Sequence, residues 1–372
     1  MEALYIDNPA KFQENLKQME DSNEVKSVLL LMTNDKTFSV EFLNPLLKSF
    51  TKPIIGGVFY EVIYNSEQKN KGVLLIPLSF ELKTEIFRFS DSNLNVFKKL
   101  DSTYSTKLKE NGGVFIFVDA FAPQKSTFIE DLFNFFGFKY SFFGAGCGSD
   151  SFVSFPCIIH NSGVYENAAV IGYTTEHLSM GVAHGWNSVS EPLKVTESEK
   201  NIIQTINWEP AFDIYKKIVE KHSGLVFDDN NFSEIAKCYP IGLMKIDGEQ
   251  VIRDPYATHD GTLYCLDNVD TGQYITVMNG NSASLIDGAA KAAEKCENSN
   301  KEKNIVSEFT FCVDCFSRVN FLGKDYSKEL KAIEGIKPVY GVVTFGEIAN
   351  AGGSFLEIYN KTIIVAGWKH NF

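Results

Sequence analysis

Several sequence signals are missing from this chain of 372 residues, and each absence excludes a class of protein. The net charge is −12 and no lysine- or arginine-rich stripe occurs, so we predict no nucleic-acid partner, because phosphate binding needs clustered positive charge. No apolar run approaches the ~20 residues that cross a bilayer. The amino-terminal stretch lacks a basic start followed by an apolar block. We therefore predict a cytoplasmic protein without a signal peptide or a membrane partner.

Cysteine pairs and the common cofactor motifs are missing as well. The seven cysteines are odd in number and scattered, which favours reduced and mostly buried thiols. Cys312 and Cys315 are three apart, but they lie in a predicted strand and would face opposite sides of it. No glycine-rich stretch has P-loop or dinucleotide-binding spacing, and no second pair completes a zinc site. The sequence predicts neither a metal site nor a required cofactor.

What the sequence does contain is one arrangement that occurs three times. A strand (Val28–Met32, Val114–Val118 or Phe309–Val313) precedes a helical segment and then a glycine-bearing stretch at Gly56-Gly57, Gly144-Ala145-Gly146 or Gly341. An acidic residue follows each time (Glu61, Asp150 or Glu347), and an apolar strand closes each unit (Val73–Ile76, Ala168–Ile171 or Thr362–Ala366). The non-alternating VLLLM and VFIFV runs indicate strands buried on both faces.

This arrangement predicts a mixed α/β fold of repeated β-α-β-Gly-turn-β units. Each helix would connect two parallel strands, and each glycine would form a turn at a strand end, where ligands commonly approach such sheets. We predict two packed mixed-sheet modules, residues 1–228 and 229–372. The middle region predicts a hairpin near 197–200, a helix from Pro210 to Gly224 that is capped by Asn207, and a helix at 284–296 followed by an exposed turn at 297–304.

Three groups of residues resemble the FIST family, in which an N-terminal and a C-terminal sensory module are paired. The stretch Gly144–Asp150 is similar to the family's glycine-rich turn, with Ala145 in place of a glycine. The family's HGW, VT and PA-x3-Y series is similar to His184-Gly185-Trp186, Val195-Thr196 and Pro210-Ala211 with Tyr215. Its C-x-x-R, GEI and final Asn resemble Cys315 to Arg318, Gly346-Glu347-Ile348 and Asn360. The resemblance covers roughly residues 25–372.

The resemblance implies a sensory protein that recognises a small ligand, with amino acids as the usual proposal and haem associated with some members. Residues at the predicted strand ends are the candidate ligand contacts: Gly144, Gly146, Asp150, His184, Trp186, Arg253, Cys315, Arg318, Gly346 and Glu347. Since no kinase, cyclase or receptor segment is present in the sequence, we expect signalling through a separate protein partner.

Each candidate also has a purely structural interpretation. The glycines could hold an anion with their N–H groups or only allow a tight strand exit. The Arg318 fork suits a ligand carboxylate but could pair with Asp314 or Glu347, and Arg253 could pair with Asp254. Asp150 and Glu347 could bind a ligand amino group or accept backbone hydrogen bonds that fix their own turns, and the recurrence of an acid in all three units argues partly for the structural role.

Three functional hypotheses follow. The first is a small-molecule sensor, with no chemistry required. The second is a haem-dependent gas or redox sensor with His184 as axial ligand, although a hydrogen-bonded structural histidine is the alternative. The third is a cysteine-dependent enzyme that uses Cys315 as nucleophile, which would need a nearby histidine base.

Overall fold

The first of three similar structural units occupies residues 4–78. The computed structural model describes residues 2–104, 111–245, 249–335, 337–350 and 355–369. The elements of this unit are β1 Leu4–Ile6, α1 Pro9–Asp21, β2 Ser27–Thr33, α2 Val40–Ser49, β3 Ile54–Phe59, β4 Glu61–Tyr64, β5 Glu67–Lys69 and β6 Val73–Leu78. The Asn8 side chain caps α1 by accepting from two backbone N–H groups of its first turn. All of β2 is buried, as its continuous apolar run predicts.

The second unit repeats this order and ends at residue 174. Its elements are β7 Lys83–Arg88, α3 Val96–Tyr104, β8 Gly112–Asp119, α4 Lys125–Phe136, β9 Tyr140–Cys147, β10 Ile158–His160, β11 Gly163–Tyr165 and β12 Ala168–Thr174. Gly137 ends α4 with a φ of 72°, a conformation that glycine adopts without strain.

The third unit is interrupted, because a separate sheet is inserted after its first strand, β13 Leu178–Ala183. The insertion consists of β14 Asn187–Ser188, β15 Leu193–Glu199, β16 Ile202–Ile206, β17 Glu209–Pro210, α5 Ala211–Ser223, α6 Phe232–Ala236, β18 Ile241–Leu243, β19 Val251–Arg253, β20 Pro255–His259, β21 Thr262–Cys265 and β22 Tyr274–Asn279. Its strands form one nine-stranded sheet. The predicted hairpin and the helix ending at Gly224 are confirmed. The predicted Asn207 cap is wrong, because its side-chain oxygen instead accepts from the Lys194 N–H.

The third unit then continues to the carboxyl-terminal strand. Its remaining elements are α7 Ser282–Lys303, β23 Thr310–Cys315, α8 Phe316–Leu322, α9 Tyr326–Glu334, β24 Val339–Thr344, β25 Glu347–Ala349, β26 Glu357–Tyr359 and β27 Ile363–Trp368. The exposed turn predicted at 297–304 is wrong, because α7 continues to Lys303 and ends at Asn304 in a left-handed conformation. The short helix α8 was not predicted.

Each unit supplies most of one six-stranded sheet, and the strand order is the same in all three. The orders are β1-β6-β2-β3-β10-β11, β7-β12-β8-β9-β25-β26 and β13-β27-β23-β24-β4-β5. The two strands flanking the crossover helix are parallel in every unit. The last two strands of each sheet form a hairpin that comes from a different unit, so the three units exchange hairpins cyclically. The predicted mixed α/β fold with a repeated unit is confirmed.

The glycines of the repeat do not form turns, which corrects the prediction for Gly144 and Gly146. Both lie inside β9, and Gly56 and Gly341 lie inside the equivalent strands. A Cβ on Gly144 would lie 2.1 Å from the carbonyl oxygen of Ile116 on the neighbouring strand. The corresponding distances are 1.8 Å at Gly56 and 2.2 Å at Gly341. These glycines therefore permit close packing of the two parallel strands.

The predicted boundary at 228/229 stays a prediction. It falls between α5 and α6, inside the inserted nine-stranded sheet. On its amino-terminal side, β4 and β13 pair with β24 and β27 on its carboxyl-terminal side. In the described part of the chain, no helix combines the length and apolarity that crossing a membrane requires.

Candidate functional site

An open cleft of about 540 Å³ lies between the inserted sheet and α7, beside the His-Gly-Trp sequence. It is lined by His184, Trp186, Asn187, Ser188, Glu249, Gln250, Met278 and Lys295. Trp186 and Met278 are almost fully buried and give the cleft an apolar floor. The Trp186 indole N–H donates to the Lys361 carbonyl at 3.0 Å, which fixes the ring.

His184 directly follows β13 and is 5% exposed. Its Nδ1 accepts from the Trp186 N–H at 2.9 Å, so the ring proton resides on Nε2, which lies 3.4 Å from the Glu249 carboxylate. Burial lowers the pKa of His184 to about 4, although the Glu249 charge opposes this. The imidazole is therefore neutral at pH 7. Gly185 has a φ of 78° and would place a Cβ 2.2 Å from the Ser284 carbonyl, so glycine is required for α7 to pack here.

A carboxylate and an ammonium lie together on the wall of this cleft. Glu249 accepts from Lys295 Nζ at 2.7 Å, and the same ammonium donates to the Val182 carbonyl at 2.9 Å. Their side chains are 26% and 48% exposed, so both charged groups can be reached from solvent. Together they offer one group of each sign above an apolar floor.

Arg318 lies in α8 and is completely buried. Its guanidinium holds Glu329 bidentately, with Nε and Nη2 donating at 2.9 and 2.7 Å. Two further N–H groups donate to the carbonyls of His184 and Leu285. Asp314 lies 3.6 Å away. Through these contacts Arg318 links α7, α8, α9 and the loop that contains His184. Because its N–H groups already donate to these protein acceptors, the guanidinium is not oriented to bind a ligand.

Two of the sequence-predicted residues, Cys315 and Glu347, lie next to each other in the core below α8. Burial raises the pKa of the Glu347 carboxyl well above its ordinary value, although the neighbouring Cys315 thiol and the Thr362 N–H, which donates to Oε2 at 3.3 Å, oppose this. Burial also raises the pKa of Cys315, and the Glu347 charge adds to this. The thiol is therefore protonated at neutral pH, the opposite of what a nucleophile requires.

Arg253 lies in a second buried polar group, where the inserted sheet meets β26. It donates to the carbonyls of Asn268 (2.9 Å) and Ile358 (3.0 Å). Nearby, Asp267 contacts Lys125 at 2.7 Å. Burial acts to raise the pKa of Asp267, but Lys125 and Arg253 outweigh it and hold the pKa below its ordinary value. The alternative interpretation, a pairing of Arg253 with Asp254, is not what the structure shows, since Asp254 binds Lys361 at 3.1 Å.

The glycine and Asp150 candidates lie elsewhere. Gly146 and Gly346 contact each other through a hydrogen bond of 2.8 Å between their backbones. Gly346 has a φ of 118° and forms the turn before β25. Asp150 is exposed beyond the end of β9, unlike the buried Glu347. Asp150 therefore occupies a position unlike that of Glu347, whereas Glu61 and Glu347 each begin the first strand of an exchanged hairpin.

The structure thus brings His184 and Trp186 into one cleft, and Arg318 binds the backbone of His184 from the core side. Cys315 and Glu347 form a separate buried pair. Arg253, Gly144 and Asp150 are separate from that cleft. Sequence reasoning missed Glu249 and Lys295, which complete its wall. Neither residue had a sequence signal, because Lys295 is one of two lysines in the helix predicted at 284–296 and Glu249 lies in an irregular segment without any pattern.

The haem and cysteine-enzyme hypotheses gain no support from these contacts. A haem iron would have to displace Glu249 from Nε2 of His184, because Nδ1 already accepts a backbone N–H. Arg318 contacts the backbone carbonyl of His184 and not its imidazole. This contact therefore does not direct the imidazole toward the Cys315 thiol, as a histidine base would require. Among the described residues, no group of three histidine, cysteine or acidic side chains is arranged to hold a metal ion.

Comparison with known families agrees with the motifs. The model of the FIST N domain matches residues 27–209, and that of the FIST C domain matches residues 211–350. No curated protein matches the chain. FIST domains are sensory domains that act in signal transduction. Two consecutive matches that together extend from residue 27 to residue 350 establish that this chain belongs to the FIST family.

Proposed function

We propose that this protein is a cytoplasmic sensor that binds a small zwitterionic ligand of the amino-acid class in the cleft beside His184 and signals through a separate protein. The observation that carries the proposal is the Glu249–Lys295 pair on the cleft wall, with its groups 2.7 Å apart. An amino acid carries one ammonium and one carboxylate, so it can insert between these two side chains and pair with both.

The Glu249–Lys295 ion pair can be replaced by contacts with a ligand at little cost. An ion pair between partly exposed side chains contributes only about 0–1 kcal/mol, so replacing it by ligand contacts costs little. The indole of Trp186 and the thioether of Met278 offer an apolar surface to the ligand side chain. The His184 Nε2–H would share the Glu249 carboxylate and hold it in place.

The position of the cleft suggests how binding could be transmitted. Glu249, Gln250 and Met278 belong to the inserted segment, whereas His184 and Lys295 belong to the third unit. A ligand that contacts both would favour one arrangement of these two parts over another. A signalling partner could then recognise the favoured arrangement.

Isothermal titration calorimetry with the common amino acids tests the proposal. We expect at least one to bind, and Glu249→Gln and Lys295→Gln to weaken it at least tenfold. Lys291→Gln is the matched control, because Lys291 lies on the same helix in an exposed pair with Asp287. Failure of every amino acid to bind the wild-type chain, or equal affinity for the Lys295→Gln variant, would refute this site.

A further inference from the structure

A second, half-enclosed cavity of about 440 Å³ lies at the other end of the third-unit sheet from Cys315. Residues of α7, of α9 and of the strands β23 and β27 line it. Phe309, Ile333 and Val365 are buried and form its apolar surface. It is distinct from the cleft beside His184, since no residue lines both.

One polar side chain in this cavity lacks a partner. Asn300 projects from α7 and is 5% exposed, and its Oδ1 accepts no hydrogen bond from any described residue. Buried amide oxygens are almost always hydrogen-bonded, because leaving one unpaired costs free energy. Gly367 lies opposite, and a Cβ there would be 3.0 Å from Oδ1. The glycine thus leaves room directly in front of the acceptor.

The charges around the cavity restrict what can enter. Glu294, Glu297 and Glu334 line it together with Lys337, so carboxylates outnumber the ammonium. Lys337 forms an ion pair with Glu297 at 3.1 Å, and the Glu334 carboxylate accepts a hydrogen bond from the Ser66 hydroxyl at 2.8 Å. This net negative charge would repel an anionic ligand, whereas it would not repel a neutral one.

We infer that this cavity binds a small neutral ring compound with one hydroxyl or N–H group, which donates to the Asn300 Oδ1. The apolar surface accepts the ring, and the donor satisfies the orphaned oxygen. The cavity is separate from the cleft beside His184, so either proposal can be refuted without affecting the other.

Fluorine NMR with two matched probes tests the inference. 4-Fluorophenol carries the donor, and 4-fluoroanisole has a similar ring but no donor. We expect 4-fluorophenol to bind at least tenfold more tightly than 4-fluoroanisole, and 4-fluorobenzoate not to bind. Asn300→Leu should abolish the preference while still admitting the ring. Asn298→Leu, an exposed position on the same helix, is the control and should keep the preference.

Gly367→Ala provides a second, independent variant. Its added methyl group would crowd the Asn300 oxygen and should weaken 4-fluorophenol at least tenfold, with circular dichroism used to establish that the variant is folded. Equal binding of the two probes to the wild-type chain, absence of binding, or an unchanged preference in Asn300→Leu would each overturn the inference. If only a water molecule satisfies the Asn300 oxygen, neither probe should bind.

Discussion

Replacing Arg318 distinguishes a structural arginine from a ligand-binding one. Arg318→Met removes the cation and leaves Glu329 buried with its two donors gone. It also frees two carbonyl groups, of His184 and Leu285. Removing one partner of a buried ion pair typically costs ~3–5 kcal/mol. We expect the free energy of unfolding, measured by urea denaturation, to fall by about that amount.

Two further variants make this test sharper. Arg318→Lys keeps the charge but loses the planar fork, so about half of the loss should remain. Arg318→Met combined with Glu329→Met removes both charges and should recover a substantial part of the stability, because no carboxylate is left facing a missing partner. The structural role would be refuted if Arg318→Met lowered stability by less than ~1 kcal/mol while abolishing ligand binding.

Three other variants or reagents address the remaining features. The pKa of His184 is about 4 in the folded state against an ordinary 6.5. Between these two pH values the folded state binds fewer protons than the unfolded state. The free energy of unfolding should therefore fall by up to ~3 kcal/mol as the pH drops from 6.5 to 4. Urea denaturation should show this for the wild type, and His184→Gln should flatten the profile. Gly144→Ala should lower the unfolding free energy by ~1–3 kcal/mol, because its methyl group would overlap a strand carbonyl. An unchanged denaturation midpoint would contradict the close strand packing. Iodoacetamide should label the partly exposed Cys238 before the buried Cys315, and mass spectrometry showing the reverse order would revive a reactive Cys315.

The core of each unit could be predicted from the sequence because its signals are local. A strand buried on both faces, such as Val114–Val118, needs a continuous apolar run, and the following amphipathic helix has its own period. The exchange of hairpins left no such signal. Pairing of Glu61 with Val343 joins residues far apart in the chain, and nothing in the local composition of either strand specifies its partner.

The site could be predicted only in part. The sequence motif identifies His184 and Trp186. The role of His184 depends on its contact with Glu249, which lies in an irregular segment that the sequence pattern does not reveal. Arg318 follows the end of β23, as predicted, but it lies in the first turn of the unpredicted helix α8 and its side chain is buried in the core. A sequence pattern reports which residue types recur, and the direction of a side chain depends on the packing of elements that are remote in sequence.

The cyclic exchange of hairpins also determines how the molecule could be divided. A fragment that ends at residue 209, where the FIST N match stops, would retain every strand of the first sheet. It would leave β9, β4 and β13 without β25, β24 and β27. Such bare edges promote aggregation, so we expect this fragment to be insoluble until the remaining chain is co-expressed with it. The smallest unit able to respond to a ligand in the cleft would then be the three interlocked sheets together with the inserted sheet, because the inserted segment supplies Glu249 and Met278.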